Sequence, residues 1–495
     1  MTLKTLLSGI KTNITYTVDG HTDNPISDIV YDTRKPLGAD TLFVCIEGFT
    51  FDGHSYALEA YHKGVRAFAA QKPLDLPDDA TVILTPCTRK FLASVSASFF
   101  GHPAEKLFTV AITGTKGKTS TSFMIKSILE EAGISTGVIG STGVHYCDHF
   151  EETANTTPES YLLQKLYKTM LDAGCKAVII EAASQGFKLH RTFGLQFDVG
   201  IFNNISPDHI GKNEHKDFEE YLACKKMLFS QCRHCYVNGD DPHYEEIVSG
   251  ASCPITVYGS REDARFRAAD LVFGTENHQL KTTFRAICKD ESFETELGVP
   301  GQFSVWNSLA AIAVTYDKGI CPDTIRAGLK KARVRGRMEI VPIDTSYTVI
   351  IDAAHEEFSC RSLFETIKKY NPNRIISVFG CGGNRSKLRR YGMGAAIGEN
   401  SDLSIITSDN SRLEKTEDII EDILVGMKPT GGKYEIIIDR KTAIQKALTV
   451  ADQGDCILLI GKGHETYEDI GGVKRPFDEK QIVLDFISAG MLADN

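Results

Sequence analysis

Apolar and polar positions along this chain follow two rhythms. Short runs of aliphatic and β-branched residues, the pattern of buried strands, are separated by stretches whose apolar residues recur at three- and four-residue spacing, the pattern of helices. In residues 1–103 the runs at 41–46 and 81–84 flank a helical stretch at 55–63, which predicts a small α/β unit. From 104 to 333 the runs 108–113, 177–180, 199–202 and 235–237 alternate with helical stretches. From 334 to 495 the runs 348–351, 375–379, 403–407, 435–438 and 456–460 repeat that order. Such alternation predicts parallel sheets covered on both faces. The expected fold class is α/β in three domains: a small N-terminal α/β domain (1–103), a central parallel sheet (104–333) and a C-terminal, Rossmann-like doubly wound domain (334–495).

Polar signatures end these runs, and in an open α/β sheet the carboxyl ends of the strands are where ligands bind. Glu181 ends one run, Asn203 and Asn204 another, and Asn238 with Asp240 a third. In the last region the endings are Asp352 to His355, Gly380 to Arg385, Ser408 to Arg412, Asp439 with Arg440, and Gly461 to Glu465. The run 108–113 carries the most informative ending, Gly114-Thr115-Lys116-Gly117-Lys118-Thr119-Ser120, followed by Ile125, Ile128, Leu129 and Ala132 at helical spacing. A glycine turn that opens a helix presents free N–H groups and the positive end of a dipole to an anion. Gly114 and Gly117 let the backbone approach phosphates, Lys118 reaches the terminal ones, and Thr119 suits Mg2+. The loop departs from the full Walker A string, which wants a glycine where this chain has Ile112. It is a nucleotide site of the shortened form.

Composition narrows the partners. A net charge of −10 argues against nucleic acid bound through its phosphates, and the Lys387 to Arg390 cluster reads by default as a solvated face or an anion site. No apolar run approaches a membrane span. Thirteen scattered cysteines, an odd number without a secretory leader, read as reduced thiols in a cytoplasm. Cys232 and Cys235 lack the second pair that a structural zinc site wants. Beside the phosphate loop, Glu181 and His209 could serve Mg2+, which keeps waters and takes few protein ligands. On its own, His209 also reads as a helix cap, and Lys225 reads as a surface lysine.

Taken in order, these clusters resemble the Mur ligase family, most closely its MurE type. The matching segments are Tyr31 to Arg34, Phe51 to His54, the Gly114 loop, Asn155 to Glu159, the Glu181 segment, Asn204 to His209, Asn213 to His215, Lys225, Asn238 to Pro242, Pro300 to Phe303 with Asn307, Gly336 to Glu339, and the third-domain endings. The resemblance implies a UDP-sugar domain, an ATPase core and an amino-acid domain. It implies ATP- and Mg2+-dependent amide formation on UDP-N-acetylmuramoyl-L-alanyl-D-glutamate, through an acyl phosphate that a free amino acid attacks, in cytoplasmic peptidoglycan precursor synthesis by a monomer. By resemblance Lys118, Glu181, His209 and Lys225 are catalytic, and Thr119, Glu181, His209 and a carbamylated Lys225 surround the metal. Asn307, Arg337, Asp352 and His355 join the loop around ATP. Asp32, Arg34, Gly48 and His54 belong to the uridine side, and Thr156, Thr157, Ser184 and Arg191 to the muramoyl-dipeptide. Arg385, Asp409, Asn410, Arg412, Gly461 and Glu465 receive the amino acid.

By the same resemblance Asp409-Asn-Ser-Arg412 stands where diaminopimelate-adding relatives carry an arginine for the distal carboxylate, so Arg412, whose guanidinium can pair bidentately with such a group, favours meso-diaminopimelate over lysine. Several positions depart from the family pattern: Ser411 stands for a proline, Gln185 for a histidine, Ala353 for a tyrosine, Glu356-Glu357 for Thr-Pro, and Ser386 for an aspartate. Freed φ at Ser411 is expected to loosen the loop that carries Arg412. Alternatives are a paralogue adding lysine or another amino acid, a folylpolyglutamate synthase relative, or a nucleotide-binding protein without turnover. The intact uridine-side segments argue against the folate reading, and the retained catalytic set argues against the last.

Overall fold

The computed structural model describes residues 1–48, 51–208, 210–211, 214–276, 279–289 and 291–493. Met1–Arg267 with Ala310–Cys321 forms one compact unit, and Ala268–Leu309 with Pro322–Asn495 the other.

The first unit holds two sheets. The smaller has the order Thr17–Asp19, Thr81–Leu84, Ala67–Ala70, Thr41–Val44, Asp28–Val30, parallel apart from its first strand. Alternate residues of one run cover opposite faces: Leu42 and Val44 pack with Leu3, Phe91 and Val95, while Phe43 and Cys45 pack with Ala57 and Phe68. Burial on both sides is why that segment reads as a continuous apolar run. The helix expected over 55–63 is a 3-10 turn, Gly53–Tyr56, leading into Ala57–His62, because the Asp52 side chain accepts from His54 N and so starts the turn earlier.

In the larger sheet six parallel strands run in the order Ile255–Gly259, Cys232–Asn238, Phe197–Phe202, Phe108–Thr113, Ala177–Glu181, Thr136–Gly140. Two antiparallel strands, Gly143–Tyr146 and His149–Glu151, extend the last of them. The strand Thr136–Gly140 gave no apolar run because glycines interrupt it; at Gly137 a β-carbon would sit 2.4 Å from Met170 Sδ, so the Met170 side chain packs into the space that the glycine leaves. Register sets which residues share the sheet edge. Ile112 pairs with Glu181 and Thr113 with Phe202, so the Gly114 loop, Glu181 and Asn203 emerge together.

The second unit contains an antiparallel hairpin, Gln279–Cys288 with Glu291–Leu297. Its inward residues Leu280, Thr282, Phe284, Ala286 and Cys288 alternate with partly exposed ones, a period of two too polar to register as an apolar run. Beyond it lies a six-stranded sheet in the order Glu339–Ile340, Thr348–Asp352, Cys456–Ile460, Ile375–Phe379, Leu403–Ile406, Tyr434–Ile436, parallel after its first strand. The last strand is Tyr434–Ile436 rather than 435–438, since Ile436 and Ile438 lie exposed at the sheet's edge. Among the described residues no helix is long and apolar enough to cross a membrane.

Ile179 is fully buried, in a strand paired on both sides. Ile179→Ala is expected to cost about 2–5 kcal/mol through lost transfer energy and a residual cavity. A fall in the denaturant midpoint of the first unit checks this, and an unchanged midpoint would contradict it.

Candidate functional site

The phosphate loop is held open by its neighbours. Gly114 (φ 151°) and Gly117 (φ 84°) lie where side chains are strained, and Gly117 caps the helix Lys118–Glu131. Thr115 N donates to Asn204 O (3.0 Å), Lys116 N to Asn204 Oδ1 (2.9 Å), and Asn204 Nδ2 returns a bond to Lys116 O (3.1 Å). Thr115 Oγ1 meets the Tyr221 hydroxyl at 3.1 Å. One turn after Tyr221 on the helix Phe218–Lys226 comes Lys225, 1% exposed, whose Nζ donates to Gly114 O at 2.9 Å. Lys118 Nζ donates to the same carbonyl at 2.8 Å. Burial foremost, then the nearness of Lys118, holds the Lys225 amine well below its ordinary value, which favours the uncharged, nucleophilic form. It is no surface lysine.

Glu181 is 1% exposed at its strand end and accepts from Ser141 N at 3.3 Å, while Ser141 Oγ lies 3.0 Å from Thr119 Oγ1. His209 and Asn213 lie outside the described residues, and among those described no cluster of three or more histidines, cysteines and carboxylates gathers as a metal cage. One carboxylate and two hydroxyls beside a phosphate cradle nevertheless fit Mg2+, a hard ion that keeps waters and phosphate oxygens. The adjoining residues are tightly tied. Thr157 Oγ1 donates to Glu181 O (2.8 Å), Arg191 Nη1 to Thr157 O (2.8 Å), and Ser184 Oγ meets His215 Nε2 (2.9 Å). Thr156, next to Thr157, is half-buried. Gln185 follows Ser184 with both amide atoms buried and without a hydrogen-bond partner among the described residues, an unusual cost for a side chain standing where the family has histidine.

Three residues here escaped the sequence. Arg89 bonds Glu159 (3.1 Å), which also lies 3.7 Å from Arg191 Nε, and burial, then Glu159, pushes the nearby Tyr31 phenol up to about 12. Arg89 carried no motif. Ser141 comes after the strand that glycines concealed, and Tyr221 could have been found from its position four residues before Lys225. Among the residues expected at the uridine end, the structure pairs Asp32 with Arg34, buries His54 between Asp52 (2.6 Å) and Gln71 N (3.0 Å), and bonds Gly48 N to Phe51 O (2.8 Å).

In the second unit the strand ends enclose a cleft of about 250 Å3. Arg385, Asp409, Asn410, Arg412, Gly461 and Glu465 all line it, as do Arg337 and His355. Half-buried Asp352 anchors the backbone beside it, accepting from Met338 N and Ala354 N at 2.8 Å each, while Asn307 lies buried on the helix Gln302–Asp317, outside the cleft lining. The guanidiniums of Arg337, Arg385, Arg389 and Arg412 outnumber the carboxylates of Asp409 and Glu465, which suits an acidic ligand. Arg390, from the basic cluster, is paired internally with Glu414 and Asp422. Glu465 is held by Asn410 Nδ2 (2.6 Å), and burial raises its carboxyl. Arg412 donates to Gly383 O at 2.5 Å. Ser411 does not loosen this loop: its N–H donates to Asp409 O (2.9 Å), a bond that proline lacks, and Arg412 N bonds Asp469 O (2.9 Å). Gly383 has no alternative, since a β-carbon there would fall 1.9 Å from Ser411 O.

Two family models match the chain, the Mur ligase middle domain over residues 112–315 and the Mur ligase glutamate ligase domain over 336–463. Curated relatives named UDP-N-acetylmuramoyl-L-alanyl-D-glutamate–2,6-diaminopimelate ligase include those of Clostridium perfringens, 38% identical with 98% of this chain and 99% of the relative covered, and Clostridioides difficile, 37% identical with 95% and 97% covered. A solved structure of that same name superposes with a TM-score of 0.72 at 25% identity, covering 99% of this chain and all of the other. MurF from Acinetobacter baumannii shares the fold at 18% identity, TM-score 0.63, with 98% of each chain covered.

Two variants test the first-unit site. A β-carbon at Gly140 would sit 2.1 Å from Glu181 Oε1, so Gly140→Ala should displace the carboxylate and lower kcat roughly tenfold or more with little loss of stability; unchanged steady-state kinetics would remove Glu181 from the chemistry. Lys225 also leaves a pH signature. Because its folded pKa lies below its unfolded value of 10.5, the unfolded chain binds the extra proton between the two, and stability rises with pH through that window. Lys225→Met should flatten this dependence in urea titrations, and an unaltered slope would mean that the folded amine is charged.

Proposed function

The chain belongs to the Mur ligase family, and on that premise we propose how its two sites divide one reaction. It is an ATP-dependent amide ligase that adds meso-diaminopimelate to UDP-N-acetylmuramoyl-L-alanyl-D-glutamate in peptidoglycan precursor synthesis. The observation that carries the acceptor reading is the meeting of Arg412 and the Asn410-held Glu465 in one cleft, a cation for the distal carboxylate and an anion for the distal amine.

A free carboxylate is a poor electrophile, so the D-glutamyl carboxylate must first be activated, and we assign that step to an acyl phosphate. Gly114 to Ser120 cradle the phosphates of ATP, and Lys118 turns from its own loop carbonyls to the transferring group, which it stabilises by position and charge. Asn307, Arg337, Asp352 and His355 are the further residues assigned to the nucleotide. Thr119, Glu181, His209 and Lys225, the last as its carbamate, would hold Mg2+, which supplies charge neutralisation when bound. A neutral buried amine is the form that adds carbon dioxide, and the resulting anion offsets the positive charge of Lys118. Thr156, Thr157, Ser184 and Arg191 orient the muramoyl-dipeptide, with Asp32, Arg34, Gly48 and His54 at its uridine end; residues 1–103, 104–333 and 334–495 are the corresponding domains. The free thiols support a cytoplasmic location.

The test is phosphate release from ATP with the UDP-muramoyl-dipeptide and either meso-diaminopimelate, lysine, ornithine or no amino acid, with product masses. Release and a tripeptide mass with diaminopimelate are expected, whereas turnover with lysine alone would overturn the acceptor assignment. In Arg412→Ala the loss of a charged hydrogen bond, about 1.5–3 kcal/mol, should raise the KM for diaminopimelate roughly ten- to hundredfold and leave that for ATP unchanged. Equal kinetics would mean that Arg412 does not read the distal carboxylate.

A further inference from the structure

Arg440 ended a predicted strand in the sequence, yet it does not line the cleft described above and belongs to no assigned site. It is the first residue of the helix Arg440–Val450 and is 1% exposed. Its guanidinium divides its donors among three acceptors: Nη1 to Ser408 O (2.9 Å), Nη2 to Ile460 O (2.9 Å) and Nε to Glu479 Oε1 (2.8 Å). Ser408 immediately precedes Asp409, and Ile460 immediately precedes Gly461. Ile460 ends the strand Cys456–Ile460 and Ser408 lies two residues beyond the strand Leu403–Ile406, so both stand at the roots of the loops that carry Asn410, Arg412 and Glu465. The strands they leave are not neighbours, for Ile375–Phe379 lies between them. The sheet ladder therefore cannot fix one loop against the other.

The loops are pressed together beyond those points. A β-carbon on Gly461 would fall 2.8 Å from Asp409 Oδ2, and Lys462 Nζ, fully buried, bonds Asn410 Oδ1 at 3.1 Å and Tyr467 O at 2.9 Å. A buried Arg–Glu pair is a poor way to stabilise a core, because apolar residues of like volume fill the same space without desolvating two charges. Its distinct property is geometric: a planar fork can hold two carbonyls at fixed separation, which no apolar side chain can do.

We propose that Arg440, oriented by Glu479, is a positioning residue that sets the separation of Arg412 and Glu465 and thereby the selectivity for an acceptor with both a carboxylate and an amine at its far end. The inference rests on the assignment of this cleft to the incoming amino acid.

The full-length enzyme tests it in two forms. Arg440→Met/Glu479→Leu removes both buried charges together, and Arg440→Lys keeps the charge opposite Glu479 but cannot span two carbonyls. The double variant should raise the KM for diaminopimelate roughly tenfold, and the lysine variant less, with the ATP KM held within about twofold. The preference for diaminopimelate over lysine, as a ratio of kcat/KM, should narrow in both. A merely structural role would lower thermal stability and impair handling of both substrates alike, so an unchanged preference in Arg440→Lys, or a parallel rise in the ATP KM, overturns the proposal; Arg440→Lys decides the matter if the double variant does not fold. Arg412→Ala is the control for the premise. If it leaves the diaminopimelate KM unchanged, the acceptor does not lie in this cleft and the proposal falls with it, whereas a response to Arg412→Ala without one to the Arg440 variants rejects Arg440 alone.

Discussion

One carbonyl, that of Gly114, accepts from the amines of both Lys118 and Lys225. Burial, and then the charge of Lys118 beside it, disfavours a second ammonium here, and the amine of Lys225, the more enclosed of the two, is lowered well below its ordinary value. Much of the first unit depends on that constraint. The loop must bend through two glycines to present the carbonyl, Asn204 must hold the loop on its other side, and Tyr221 must fix the helix that delivers Lys225. The parallel register then brings Glu181 to the same edge without any further device.

The second unit solves a different problem, which is to hold unlike charges apart inside one cleft. Guanidiniums and carboxylates left free to meet would pair with each other and read nothing. Here Asn410 holds Glu465, the Gly383 carbonyl holds Arg412, and Glu414 with Asp422 engages Arg390. What faces the cleft is therefore a preorganised arrangement, in which ligand binding requires little reorganisation.

Strands buried on both faces were legible in the sequence, since 108–113, 375–379 and 456–460 emerge with their expected limits. So was the gathering of Arg385, Asp409, Asn410, Arg412, Gly461 and Glu465, because the ends of parallel strands meet by construction. The hairpin Gln279–Cys288 was not legible, as its inward side carries Thr282 and Ala286 among its apolar residues. Lys225 shows the deeper limit. Residue type and spacing describe it as an ordinary helical lysine, and only the packing of Tyr221 and the Gly114 loop reveals the burial that changes its chemistry. Ser411 erred in the other direction, for the freedom implied by a missing proline is taken up by the hydrogen bond that its N–H then makes.

The chemical state of Lys225 is the most direct test of this site. Enzyme equilibrated with 13C-labelled bicarbonate should show a carbamate carbon resonance that is absent from Lys225→Ala and lost when the sample is acidified, since protonating the amine removes the form that binds carbon dioxide. Absence of that resonance, together with a Lys225 amine that titrates like an exposed lysine, would contradict it.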